Sequence, residues 1–194
     1  MYSQSEEEQY ILEFFGDRVG RVLEIGAFHP TVFSNSRALV EKGWEAVLVE
    51  PSPKCFKALS DFYENDEKVQ TVQVAISNRD GKLKFYDSAG ANATGHLGHY
   101  SRWKSIQHDY EETLIDCVTW KTFYNSFSGV YDFISIDCEG MDWEVLQQID
   151  LDETGTDLVC IEYGWDPVEI QNYLIKSGFK ALIHQNGENL IVGR

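Results

Sequence analysis

Short runs of strand-forming apolar residues, each followed by a segment with helical spacing, are the strongest constraint on what this chain can fold into. "RVLEIGAF" (21–28) is continuous, rich in β-formers and too short for a helix, so it predicts a strand buried on both faces. "SRALVEKG" (36–43) predicts a helix, with Ser34, Asn35 and Ser36 as caps and Gly43 as the stop. "WEAVLVEPSP" (44–53) predicts a second strand that ends at Glu50, because Pro51 and Pro53 cannot continue a central strand. The beat continues through helix "PKCFKALSDFYEN", strand "VQTVQVAIS", turn "NRDG" and strand "KLKFYDS". It resumes with "TLIDCVTWKTFYNSF", a short strand leading into a helix capped by Thr119 or Thr122. Strand "YDFISIDCEG", helix "DWEVLQQID", strand "DLVCIEYG" and helix "DPVEIQNYLIKSG", with Pro167 in its first turn, follow. Such alternation implies right-handed crossovers and an α/β, doubly wound, Rossmann-like parallel sheet with helices on both faces.

The two ends add to this pattern. "SQSEEEQYILEFFG" predicts a first helix with a capping box from Ser5 to Glu8 and an end near Gly16. "FKALIHQNGENLIVGR" predicts an antiparallel hairpin around Asn186 and Gly187. Residues 89–110 carry three glycines and three histidines with no clear period, and 89–118 is expected to be a substrate loop or lid inserted in a single domain spanning 1–194. A hydrophobic fraction of 43% supports one full core in 194 residues.

A net charge of −16 repels a phosphate backbone, so nucleic acid is not an expected partner. No apolar stretch reaches membrane-spanning length and "MYSQSEEEQ" lacks the parts of a secretory signal, which points to the cytoplasm. Cys55, Cys117, Cys138 and Cys160 show no metal or redox spacing and read as reduced packing residues.

In an open parallel sheet, ligands bind beyond the carboxyl ends of the strands. Glu50 lies 24 residues after Gly26 at such an end, where a carboxylate can accept from both hydroxyls of a ribose. The turn after the first strand has Gly26 but no further glycine to build a backbone nest for pyrophosphate. An adenosyl cofactor without phosphates fits better, and S-adenosylmethionine is one, with an ammonium for Glu24 or Asp137 and a sulfonium attracted by acid.

"EIGAFHPTVFSNS", "GWEAVLVEPSP", "VQVAIS", "YDFISIDCEG" and "CIE" occur in the order and spacing of the FkbM family of S-adenosylmethionine-dependent methyltransferases, which this chain resembles. The resemblance implies the class I methyltransferase fold, a seven-stranded sheet with a C-terminal antiparallel hairpin, and O-methylation of hydroxyls on glycans or natural products. It further implies that Glu24, Gly26, Ala27, Ser34 and Asn35 form the first cofactor loop and that Glu50 holds the ribose. Pro51 and Ser52 would flank the ribose, Ala75 and Ile76 the adenine, and Asp137 and Glu139 the catalytic face. The chain departs from many relatives at Pro30, where they carry a second glycine.

Methyl transfer is an in-line displacement whose barrier falls chiefly through positioning. For the proton, Asp137 and Glu139, two apart at a strand end, are expected to point the same way, one to the cofactor and one to the acceptor. They would otherwise cap the helix "DWEVLQQID". His29 is a rival base with an equal claim to a turn role. His96 and His99 read as substrate contacts or surface, and Tyr100, Trp103, Tyr163 and Trp165 as aromatic platforms for a sugar ring. A divalent cation on Asp137 and Glu162 would supply Lewis-acid assistance instead. An NAD-dependent oxidoreductase and a binding protein that has lost turnover are the competing functions.

Overall fold

The computed structural model describes every residue except 89, 105, 107–109 and 165. The chain begins α1 (Glu7–Phe15), β1 (Arg21–Ile25), α2 (Arg37–Glu41), β2 (Glu45–Val49), α3 (Pro53–Tyr63) and β3 (Val69–Val72). Then come β4 (Ala75–Ile76), β5 (Gly81–Asp87), α4 (Leu97–Trp103), β6 (Glu111–Val118) and α5 (Trp120–Ser126). It closes with β7 (Phe133–Ile136), α6 (Asp142–Leu146), β8 (Leu158–Glu162), α7 (Pro167–Lys176), β9 (Ala181–Gln185) and β10 (Asn189–Gly193).

Seven strands form the main sheet in the order β3-β2-β1-β7-β8-β10-β9. The first five run parallel and β10 is antiparallel to both its neighbours, which is the sheet the resemblance implies. Strand order reverses between β1 and β7, so a crevice opens over their carboxyl ends.

The alternation of side chains along each strand builds two cores. Leu23 and Ile25 pack with Trp120 and Phe123 of α5, Val145 of α6 and Leu174 of α7. Val22 faces the other way, against Phe15 of α1, Leu39 of α2 and Leu59 of α3. Full burial of each such aliphatic side chain stabilises the fold by roughly 1.5–3 kcal/mol. Glu7 ties α1 to the final hairpin: its Oε1 accepts from Asn186 Nδ2 at 2.6 Å and Asn189 Nδ2 at 3.0 Å.

Four local expectations are corrected. "VQTVQVAIS" is two strands, because β3 pairs with β2 only as far as Val72, after which the chain leaves for a second sheet. That sheet, β4-β6-β5, takes in "KLKFYDS" and is not foreseen by a simple strand-helix beat. The stretch 89–118 contains the helix α4 and the eight-residue strand β6, seven of whose pairings with β5 are antiparallel. At the first helix it is Ser3 rather than Ser5 that accepts from the Glu8 amide, at 3.1 Å, while Glu8 Oε2 accepts from the Tyr2 amide at 2.6 Å. At α5 and α7 the caps fall as read, with Thr119 Oγ1 accepting from the Thr122 amide and Pro167 opening α7 behind Asp166, whereas Ser36 at the start of α2 makes no side-chain cap bond and Ser34 Oγ accepts from the Arg37 amide at 3.1 Å.

Gly26 sits where β1 meets the turn after β7. It has φ +88°, and a Cβ there would lie 1.6 Å from the carbonyl oxygen of Asp137. Gly26→Ala is therefore expected to destabilise the fold by about 3 kcal/mol or more, measured by urea denaturation. A loss under about 1 kcal/mol would mean that the two backbones separate freely.

Candidate active site

A cavity of about 900 Å³ occupies the crevice. Gly26, Glu50, Pro51, Ala75 and Ile76 line one side, and Asp137, Glu139, Asp142 and Glu162 the other. The segment from Gly90 to Trp103 covers it. Glu188, at the turn between β9 and β10, closes the far end.

Glu50 is the best-formed ligand group. It follows the last residue of β2, is 5% exposed, and accepts from the Phe28 amide through Oε2 at 2.8 Å and the Ser52 amide through Oε1 at 2.7 Å. Each oxygen keeps a second acceptor position, a pair matched to a vicinal diol. Burial pushes its carboxyl up to about 7, against the two amide bonds and with help from the charges of Asp87 and Glu24.

Glu24 is placed differently from its expected role. Strand alternation turns it to the α2 side of the sheet, where it is 3% exposed and does not line the cavity. Its oxygens accept from the Asn35 amide at 2.7 Å, Ser36 Oγ at 2.5 Å and Ser34 Oγ at 3.2 Å. Glu24, Ser34 and Asn35 thus hold the loop after β1 in shape from behind, while Ala27 is core and Ser52 caps α3 through the Cys55 amide at 3.2 Å. None of these five contacts the cavity directly. His29 is also outside it, its Nδ1 accepting from the Thr31 amide at 3.2 Å, which is the turn role.

The turn after β7 collects the acids. The strand ends at Ile136 and Glu139 has left-handed backbone, φ +52°, so Asp137 and Glu139 both line the cavity, but through the turn and not by strand alternation. The turn is built by Asp142, whose two oxygens accept from the Cys138 amide at 2.5 Å and the Gly140 amide at 3.0 Å. Asp142 therefore shapes the turn, and α6 starts at this residue without a side-chain cap from Asp137 or Glu139. Asp137, Asp142 and Glu162 bring carboxylate oxygens within 4.8 Å of one another. All three are hard oxygen donors of the kind a magnesium- or calcium-like ion takes.

Burial, then mutual repulsion, raises the acids here. Asp137 goes up through burial and Glu162, Glu162 to about 8 through burial, Asp142 and Glu188, and Glu139 to about 9 through burial and Glu162. Among the described residues, seven carboxylates line the cavity (Glu50, Asp137, Glu139, Asp142, Glu144, Glu162 and Glu188) against one guanidinium, Arg102.

The covering segment is pinned to the same turn. Thr94 exchanges backbone bonds with Tyr86 of β5, at 2.8 and 3.0 Å, and its Oγ1 donates to the Glu139 carbonyl at 2.8 Å. His99, on α4, places Nε2 3.1 Å from Glu139 Oε2. Burial lowers His99, which favours neutral imidazole. Tyr100 stacks on Tyr86 with centroids 3.8 Å apart and stays out of the cavity, whereas Trp103 and Tyr163 line it. Trp165 lies outside the described residues. The H-x-x-H spacing announced His99, but nothing local distinguished Asp142 from an ordinary helix-start acid.

The sheet and the crevice define a class I methyltransferase fold. The Methyltransferase FkbM domain matches residues 24–184, and the chain belongs to that family. Among solved structures it is similar to the methyltransferase FkbM from Methylobacillus flagellatus KT, with a TM-score of 0.59 and 14% identity over 91% of this chain and 44% of the other. The chain thus spans less than half of that protein's length. It is also similar to M. capricolum TrmK, solved with its cofactor product S-adenosyl-homocysteine (TM-score 0.52, 11% identity, 100% of this chain and 69% of that one). The N-terminal domain of human METTL16 in complex with the same molecule gives 0.50 and 12%, over 95% and 66%. No curated protein matches by sequence.

The raised carboxyls predict an unusual pH dependence. Glu24 and Glu50 at about 7, Glu162 at about 8 and Glu139 at about 9 all stand above the ordinary 4.5. The folded chain therefore holds protons that the unfolded chain has released, so their stabilising effect is complete below 4.5 and disappears as pH rises through that window. The urea midpoint is expected to fall between pH 5 and pH 9. A flat or rising midpoint would show that these groups ionise normally.

Proposed function

We propose that the protein is an S-adenosylmethionine-dependent O-methyltransferase of the cytoplasm, acting on a hydroxyl of a neutral sugar, glycan or polyol natural product. The observation that carries the reading is Glu50, buried at the end of β2 with one acceptor position left on each oxygen, in a cavity whose other charges favour a cation. The FkbM family and the two S-adenosyl-homocysteine complexes among its structural neighbours support the cofactor. Ala75 and Ile76 offer an apolar face to adenine beside Pro51, and Gly26 lets the cofactor approach the backbone. Four unpaired cysteines suit a reducing compartment.

S-adenosylmethionine, held by Glu50, Pro51, Ala75 and Ile76, would supply an electrophilic methyl group for the acceptor oxygen, with a neutral thioether as its leaving group. The acceptor loses its proton to a cavity base. His99, neutral through burial, takes that role in place of His29, and Glu139 positions it across the 3.1 Å contact. Asp137, which lines the cavity, would face the cofactor's positive charge. Trp103 and Tyr163 present apolar surface to a sugar ring. A divalent cation, if bound, would be held by Asp137, Asp142 and Glu162 and would acidify the acceptor hydroxyl. The acid lining disfavours nucleic acid and phosphorylated acceptors by charge repulsion.

Calorimetry with S-adenosyl-homocysteine tests the cofactor. Wild type should bind, and Glu50→Ala should weaken binding by about tenfold or more, since two hydrogen bonds to a charged acceptor are lost. Equal affinity in the variant, or a tight response to NADH, would overturn the assignment. A panel of neutral glycosides tests turnover: His99→Gln should cut kcat by about 10²-fold or more and remove the acid limb of the pH–rate profile, which burial of the imidazole places below the ordinary histidine range. An unchanged acid limb would place the base elsewhere, and cofactor binding with no methylated product across the panel would favour a binding protein.

A further inference from the structure

The loop after β1 carries two bulky residues in left-handed backbone, Phe28 at φ +46° and Phe33 at φ +59°. A phenylalanine rarely adopts that conformation once, and such outliers concentrate at ligand clamps. Both rings line the cavity, with centroids 6.2 Å apart and planes inclined by 26°. Phe33 is 43% exposed although two apolar cores lie within reach of the chain. The Phe28 amide is the donor to Glu50 Oε2, so the strained residue is anchored to the carboxylate read above as the ribose ligand.

We infer that Phe28 and Phe33 form an aromatic wall that recognises the positive sulfonium of the methyl donor. The inference rests on the cofactor reading above. In the donor, sulfur stands one carbon beyond the ribose ring, and the backbone amide of Phe28 is hydrogen-bonded to Glu50, the ribose ligand of that reading. The negative π faces of the two rings attract a cation, and the carboxylates of Asp137 and Glu162 across the cavity reinforce that field. After transfer the sulfur is neutral and the attraction is gone, so the wall favours donor over product and assists release. The strained loop is kept because Glu24 and Glu50 hold it from both sides, through the 34–36 donors and the Phe28 amide.

Calorimetry on the full chain separates this from other roles. Phe33→Leu and Phe28→Leu keep an apolar side chain and remove the π face. Each should weaken S-adenosylmethionine and sinefungin, whose ammonium replaces the sulfonium, by roughly fivefold to tenfold, and leave S-adenosyl-homocysteine within about twofold. Phe33→Tyr should bind all three as wild type does. Should Phe28→Leu fail to fold, the Phe33 pair alone decides. Equal weakening of donor and product would show that the rings stack on adenine or only shape the pocket, and no weakening of the donor would show that they do not face it. Either result overturns the inference while leaving the cofactor reading intact. Wild type that binds none of the three ligands would overturn both.

Discussion

The close approach of two backbones at Gly26 and Asp137 is the constraint from which the site follows. The amide of Asp137 donates to the Ile25 carbonyl at 2.9 Å, and the Asp137 carbonyl lies where a Cβ of residue 26 would be. Parallel strands diverge as they leave a sheet at a reversal of order, and the crevice between them becomes a binding site only if its floor is closed. Glycine at 26 closes that floor. It leaves the loop after β1 on one side and the acid-rich turn after β7 on the other, about one small molecule apart.

Charge then determines what the crevice can hold. Carboxyls buried without cations shift towards their neutral forms, and those lining this cavity do so because each is desolvated and most face another acid. A positive ligand relieves both effects together, so the cavity is electrostatically poised for a cation. The turn after β7 carries Glu139, whose left-handed backbone and contact with His99 join the floor to the covering helix α4, and Thr94, just ahead of that helix, donates to the same residue's carbonyl.

Much of this was legible in the chain. The apolar runs at 21–25, 45–49, 133–136 and 158–162 are strands because continuous β-forming sequence of that length has no other way to bury both faces. Glu50 was readable from its place at a strand end marked by two prolines. Glu24 was legible as important but not in what it does, since strand alternation sends it away from the cavity and towards the loop it supports. His29 and His99 look alike as residues, and which of them reaches the cavity depends on contacts across the fold.

Sequence alone therefore determined most strands of the main sheet and the helices that alternate with them, the parallel sheet with its antiparallel end and the strand-end acids, because these depend on local propensity and on burial patterns a few residues long. Tertiary structure decided the rest: that Val72 to Ala75 changes sheets, that Asp142 shapes the turn, that α4 lies over the cavity and brings His99 to Glu139. Those outcomes rest on contacts between residues tens of positions apart, such as the 45 that separate Thr94 from Glu139, and no periodicity along the chain encodes which distant partner a side chain will meet.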